Sequence, residues 1–148
     1  MGVMVDPVSA VLGIRASGMF PLMSAVEKGL PLRSLDRVVR SVAPSDSKFA
    51  FRIIPRATLA RRRRVWATAK DRPEGRLSAE ESTRLARLAS VWAMALEVWG
   101  DEEAARRFMF ETHALLHRRR PVDIVLENEF GRPIVEGILG RLRYGTAV

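Results

Sequence analysis

The sequence predicts an all-α protein. Apolar residues recur at intervals of three and four positions throughout the 148 residues, which is the spacing that places side chains on one face of a helix. Alternating runs of β-branched residues, which would indicate strands, extend over only a few positions. With 47% hydrophobic residues, the chain can bury the core of one ordinary domain or of two small ones.

Short helices are predicted in the first half of the chain, at about residues 6–13, 20–28 and 32–42. Gly29 ends the second of them, in the position after the last turn that favours glycine. A short segment around residues 46–52 follows, and Pro55 then begins a new helix, because proline is tolerated in the first turn but not in a helix interior. Helix, tight turn and helix form the motif whose second helix lies in the DNA major groove.

A long helix is predicted in the middle of the chain. Residues 70–77 form a loop, after which Ser78 and Glu81 form a capping box. The helix then carries one apolar stripe, which Gly100 ends, made of Leu85, Leu88, Trp92, Leu96 and Trp99. Such a stripe is typical of a core or a partner surface, and we expect Trp92 and Trp99 to pack against other helices.

Three more helices are predicted in the last third. Asp101 caps the first, which runs to about residue 111. Pro121 opens the second, a short one, and Asn128 caps the final helix. Gly145 ends that helix, whose predicted buried face consists of Val135, Ile138, Leu139 and Leu142.

Composition excludes several classes of protein. The chain has no cysteine, which rules out disulfides, thiol nucleophiles and cysteine zinc sites and fits a reducing compartment. Asp6 lies where a signal peptide would carry basic residues, and no stretch approaches the roughly 20 apolar residues of a membrane span. We therefore expect a cytoplasmic protein without a membrane partner.

The positive charge is concentrated in one region. The net charge is +8, and residues 33–76 carry thirteen Lys or Arg against four Asp or Glu. Within that region, residues 55–64 read PRATLARRRR. A concentrated excess is typical of a nucleic-acid-facing module, although an arginine run taken alone is equally typical of a solvated helix face.

No enzymatic or metal site is indicated. His113 and His117 lie four residues apart, as in zinc hydrolases, but Ala114 stands where that motif needs its glutamate. Neither a glycine-rich phosphate loop nor a nucleophile elbow is present. We expect no cofactor, and the interpretation of Trp66, behind the arginines, stays open between stacking and packing.

The C-terminal third resembles the toxin-binding domain of the Xre/MbcA/ParS antitoxins. The resemblance rests on ARLASVWAMALEVWGDEEAARRFM and ALLHRRRPVDIVLENEFGRPIVEGILGRLRYG, which align over about seventy residues without an insertion. Upstream, GLPLRSLDRVV, IPRATLARRRR and GRLSAEES look like the helix-turn-helix half of the same antitoxins. The resemblance implies an Xre-like helix-turn-helix module in residues 1–76 and a toxin-binding module in residues 77–148.

This resemblance implies an antitoxin of a type II toxin–antitoxin system. Its partner would be a cognate RES-domain toxin that consumes NAD or transfers ADP-ribose from it, and the tail of the antitoxin would close the toxin's active site. The toxin-binding residues would be Arg141, Arg143, Tyr144, Gly145, Thr146, Ala147 and Val148.

The other half would bind the operon's own promoter as a homodimer and repress it. Near the groove we place Arg56, Thr58, Arg61 and Arg62, and on phosphates Arg63, Arg64 and Lys70. Two alternatives from other classes are a stand-alone helix-turn-helix regulator without a toxin, and a hydrolase that depends on His113.

Several positions depart from the family pattern. Paired glycines of the family are His117 and Arg118 here, and its helix-capping threonine is Arg120. A turn glycine is Ile53, whose β-branched side chain resists a positive φ. About eight additional residues within 65–74 extend the recognition region.

Overall fold

A computed structural model describes residues 6–68 and 75–145 of the chain. Within these ranges it has eight α-helices and two 3₁₀ turns but no strand. The helices are α1 Pro7–Leu12, α2 Met19–Lys28, α3 Leu32–Val42, α4 Arg56–Thr68, α5 Ala79–Trp99, α6 Glu102–Phe110, α7 Pro121–Glu127 and α8 Gly131–Arg143. The 3₁₀ turns are Phe49–Arg52 and Ala114–Leu116. The predicted all-α class is confirmed.

The chain divides into two compact units. Unit 1 is Met1–Ala86 and unit 2 is Arg87–Val148, so that the boundary falls within α5. The predicted assignment of residues 1–76 and 77–148 to two functional modules stays a prediction. None of the helices that the structure describes combines the length and the apolar character needed to cross a membrane.

Helix termini follow the local signals closely. The side chain of Ser78 accepts the N–H of Glu81 at 3.1 Å, and the carboxylate of Glu81 accepts the N–H of Ser78 at 2.7 Å. Asp101 accepts the N–H groups of Glu103 and Ala104 and caps α6. The predicted capping box and the predicted Asp101 cap are both confirmed.

The core of unit 1 is built largely from α3 and the segment that follows it. It contains Leu35, Val38, Phe49, Ile53, Ile54 and Leu59. A single antiparallel bridge joins Pro31 to Arg76, since Leu77 donates its N–H to the carbonyl of Leu30 at 2.8 Å. Gly29 makes this approach possible: its φ is +98°, and a Cβ there would lie 2.3 Å from the carbonyl oxygen of Leu77.

Unit 2 packs α6, α7 and α8 against the C-terminal part of α5. Buried apolar residues include Val91, Trp92, Met109, Val125, Val135 and Leu139. α7 and α8 approach closely at Gly131, where a Cβ would lie 2.0 Å from the carbonyl oxygen of Ile124. Arg87 closes the end of α7 by donating to the carbonyl of Val125 at 3.2 Å.

Two predictions in unit 2 were wrong. Asn128 does not cap α8, because its side chain accepts the N–H of Phe130 at 2.8 Å in a turn that precedes the helix. Leu142 lies on the exposed part of α8, close to the end of that helix, and not in its buried face. The predicted helix packing of the two tryptophans is confirmed: Trp92 is fully buried, and Trp99, although partly exposed, packs against Phe108 of α6 with ring centroids 6.0 Å apart.

Candidate functional site

Helix α4 presents two arginines away from the core of unit 1. Leu59 is its buried residue, and Arg61 and Arg64 follow two and five positions later, which at 3.6 residues per turn is the opposite side. Both arginines are exposed, and the small residues Ala57 and Ala60 lie on the same side. We call these four residues the arginine face. Small side chains beside long cationic ones let a helix approach a surface of phosphates closely.

Two further arginines of the run pair with carboxylates of unit 1. Arg62 forms an ion pair with Glu81, and Arg63 pairs with Asp36 at 2.7 Å. Burial raises the pKa of Glu81, but the hydrogen bonds from Arg62 and Ser78 outweigh burial and hold this pKa below its ordinary value. Arg62 therefore connects α4 to the capping box of α5, whereas the pair of Arg63 lies at the surface.

The remaining residues predicted to bind DNA lie at or beyond the ends of α4. Arg56 is exposed, and its guanidinium stacks over the ring of Phe51 at 5.7 Å. Thr58 is half-buried. Lys70 lies outside the described residues, as does most of the extension at residues 65–74. Trp66 is exposed on α4, beyond the arginines.

The turn before α4 uses ordinary backbone angles. Its first element, expected around residues 46–52, is the 3₁₀ turn Phe49–Arg52. Ile53 has a φ of −101° and is fully buried, so its side chain anchors the turn and no positive φ is needed. Arg84 donates to the carbonyl of Ile53 at 2.6 Å and fixes the turn to α5.

All of the net charge lies in unit 1. Residues 1–86 hold sixteen Lys or Arg against eight Asp or Glu, and residues 87–148 hold nine of each. The excess of eight positive charges therefore belongs to the unit that carries the arginine face. A helix-turn-helix on a basic unit is the arrangement suited to binding nucleic acid.

The residues predicted to bind a toxin lie at the end of α8. Arg141 is exposed, and Tyr144 has 77% of its surface exposed. Arg143 donates to Glu97 at 3.0 Å and lies over the Tyr144 ring at 5.6 Å, so it is partly engaged. Gly145 has a φ of +66° directly after the helix. The last three predicted residues, Thr146, Ala147 and Val148, lie outside the described residues.

A strained basic turn occupies the other end of unit 2. Arg119 donates its N–H to the carbonyl of Leu116 at 3.1 Å, and the two residues between them, His117 and Arg118, have φ values of +54° and +63°. Two consecutive positive φ values define a type I′ turn, which favours glycine and asparagine. This turn carries His117 and Arg118 at the positions where the resemblance to the family places paired glycines.

Arg120 stands where the family pattern has a helix-capping threonine, and a nearby ion pair takes the place of that cap. Arg120 occupies the N-cap position of α7 without capping it, and its guanidinium instead binds both oxygens of Asp123 at 2.8 and 2.9 Å. The hydrogen bonds that Arg120 donates to the Asp123 carboxylate raise the pKa of Arg120. The negative charge of Asp123 in the first turn of α7 also interacts favourably with the dipole of that helix.

His113 has a structural role. Its Nε2 lies 3.1 Å from the carbonyl oxygen of Phe108, and the two rings pack at 5.0 Å. Among the residues that the structure describes, no three His, Cys, Asp or Glu side chains come together as a group that could hold a metal ion.

One exposed surface was missed by the sequence-based prediction. Phe130 and Ile134, at the start of α8, expose 69% and 51% of their surfaces. The signal was present in the sequence, because both residues lie off the face formed by Val135, Ile138 and Leu139.

Two family models match the chain over these elements. Residues 94–145 match the model described as the antitoxin Xre/MbcA/ParS C-terminal toxin-binding domain. Residues 21–90 match the model described as the antitoxin Xre-like helix-turn-helix domain. No match was found among curated proteins. The first match covers α6 to α8, and the second covers α2 to α4 and much of α5. The chain therefore belongs to the Xre/MbcA/ParS family of antitoxins.

Proposed function

We propose that this antitoxin neutralises a RES-domain toxin by occluding its active site, and that it represses its own operon by binding DNA as a homodimer in the cytoplasm. The observation that carries the first part is the match of residues 94–145 to a toxin-binding domain. The second part rests on the helix-turn-helix match together with the arginine face on the basic unit.

Occlusion requires exposed groups that suit an NAD pocket. Arg141 and Tyr144 are exposed at the end of α8. A guanidinium pairs with phosphate oxygens or carboxylates, and an exposed phenol ring stacks or donates a hydrogen bond. Placed at the mouth of a pocket that binds a dinucleotide, the Tyr144 ring can stack in the position of a base and Arg141 can pair with a carboxylate at the rim, so that both exclude the substrate. Inhibition of this kind requires no catalysis by the antitoxin.

The tail provides a direct test of occlusion. Deleting residues 144–148 removes an exposed ring and the residues after it, so we expect helix content and thermal stability to stay close to those of the intact chain. Neutralisation should weaken. Equal protection by the intact and the shortened chain, at equal helical circular dichroism, would remove the tail from the mechanism.

Growth and cellular NAD in bacteria test the proposed partner. The neighbouring open reading frame is expressed with and without this chain. We expect the neighbour alone to stop growth and deplete NAD, and the chain to restore both. Restored growth without any fall in NAD would contradict the RES-type chemistry. A neighbour with no toxicity would contradict the proposed partner and leave a stand-alone regulator.

Binding to the upstream promoter tests the DNA half. A homodimer with two arginine faces should bind a fragment with two half-sites, and its affinity should fall steeply as the salt concentration rises. Affinity that does not change with salt would refute the role of the arginines.

A further inference from the structure

Helix α8 has a second apolar side that unit 2 does not cover. Its inner side buries Val135, Ile138 and Leu139. The opposite side is exposed throughout the length of the helix. We call it the outer face of α8 and define it as Phe130, Pro133, Ile134, Gly137, Arg141 and Tyr144.

A glycine without a role in the fold lies in the middle of this face. Gly137 has an ordinary helical backbone, and a Cβ built on it would meet nothing within 4 Å. By contrast, Gly131 on the same helix has no room for a Cβ. Glycine in a helix interior is destabilising relative to alanine. Neither packing nor backbone angles within unit 2 explain this loss of stability at Gly137.

The bare backbone at Gly137 is flanked by large exposed groups. Ile134 lies one turn before it and Arg141 one turn after it on the same side. An element of another molecule can therefore contact the backbone of α8 at Gly137 while Phe130 and Ile134 pack against its sides. Exposed aromatic and aliphatic side chains around a recess are typical of a protein interface.

We propose that the outer face of α8 is a docking surface for the toxin, on which an apolar segment of the toxin crosses α8 at Gly137 and a toxin carboxylate pairs with Arg141. This inference rests on the proposed function and adds a surface to the tail contacts. The face belongs to the matched toxin-binding domain and is continuous with the tail, since Arg141 and Tyr144 belong to both.

The charges and the length of the face fit this partner. The face as defined carries one cation, Arg141, and of the nearby carboxylates Glu136 is turned to Ser90 at 2.7 Å and to Arg132 at 3.6 Å, whereas Glu129 is exposed beside Phe130. From Phe130 to Tyr144 the face extends for about 20 Å. The segment of the toxin that it accepts is therefore apolar with an acidic border.

A larger side chain in place of Gly137 tests the proposal without disturbing the fold. Gly137→Leu fills the recess from the exposed side, so the full-length variant should unfold at or above the temperature of the unchanged chain. Its affinity for the purified product of the neighbouring open reading frame should fall by about tenfold or more. Ala10→Leu, which adds similar bulk to the exposed side of α1, is the matched control and should bind that product unchanged.

Each outcome has a separate meaning. Equal affinities of Gly137→Leu and the unchanged chain would overturn the docking surface and leave the proposed function intact. Failure of the unchanged chain to bind the product would instead overturn the proposed function. Sedimentation of the chain alone gives the last outcome. If Gly137→Leu dissociates a homodimer, the outer face of α8 joins two copies of this chain and the proposal is wrong.

Discussion

Two neighbouring arginines on α4 should respond to substitution in opposite ways. Arg62 has 27% of its side chain exposed and pairs with Glu81, whose side chain is 12% exposed. Arg62→Ala leaves this carboxylate without its charged donor, and lost hydrogen bonds of this type cost about 2 kcal/mol. Arg61 is exposed on the arginine face, so Arg61→Ala should change the free energy of unfolding by less than about 0.5 kcal/mol.

For DNA binding, Arg61→Ala should have the larger effect and Arg62→Ala the smaller one. A cation that enters the groove between phosphates also displaces counterions, so Arg61→Ala should flatten the plot of log affinity against log salt by up to about 0.9. Arg61→Lys keeps the charge and should keep the slope. Arg62→Ala should leave the slope unchanged, because that side chain is already bonded within unit 1.

Urea unfolding and fluorescence anisotropy with the upstream promoter measure the two effects. A destabilised Arg61→Ala combined with a normal Arg62→Ala would refute the division of the arginines between α4's two sides. The same refutation follows if Arg62→Ala flattens the salt slope and Arg61→Ala does not.

Three further substitutions test the fold. Gly29→Ala should destabilise unit 1 by about 3 kcal/mol in urea unfolding, because it combines overpacking against the Leu77 carbonyl with a strained φ; an unchanged midpoint would contradict the close approach. Arg118→Gly should stabilise the chain by about 0.5–1 kcal/mol in thermal unfolding by relieving a left-handed residue, whereas Arg118→Ala should not. Glu81 has a folded pKa below the ordinary value of 4.5 for a glutamate, so its contribution to stability is present above pH 4.5 and is lost as the pH falls through the folded pKa. Unfolding midpoints of Glu81→Gln and the unchanged chain should therefore differ at neutral pH and converge in acid; a gap that stays constant would contradict the ion pair.

Features governed by neighbouring residues could be predicted from the sequence. Ser78 with Glu81 and Asp101 cap their helices as expected, because a cap depends only on the next three residues. Asn128 failed as a cap because two extra residues intervene before α8 begins. Which of several polar residues becomes the cap depends on where packing begins the helix, and α8 begins at Gly131, which packs too closely against Ile124 to hold a Cβ.

The partners of the arginines could not be predicted from the sequence. The helical period places Arg61 and Arg62 on different sides of α4, but the pairing of Arg62 with Glu81, nineteen residues away, depends on how the helices pack. The turn at His117 and Arg118 could not be predicted from the sequence either. Its sequence disfavours positive φ, yet the hydrogen bond from Arg119 to Leu116 closes the turn, and a second bond joins the N–H of Arg118 to the carbonyl of His113.

Inhibition of a purified toxin tests the central claim most directly. The product of the neighbouring open reading frame is incubated with NAD, and the loss of NAD is followed while the full-length chain is added in increasing amounts. We predict that NAD is consumed without the chain and that consumption ends at a fixed stoichiometric ratio of chain to enzyme. NAD consumption that continues unchanged in excess chain would contradict active-site occlusion by this antitoxin.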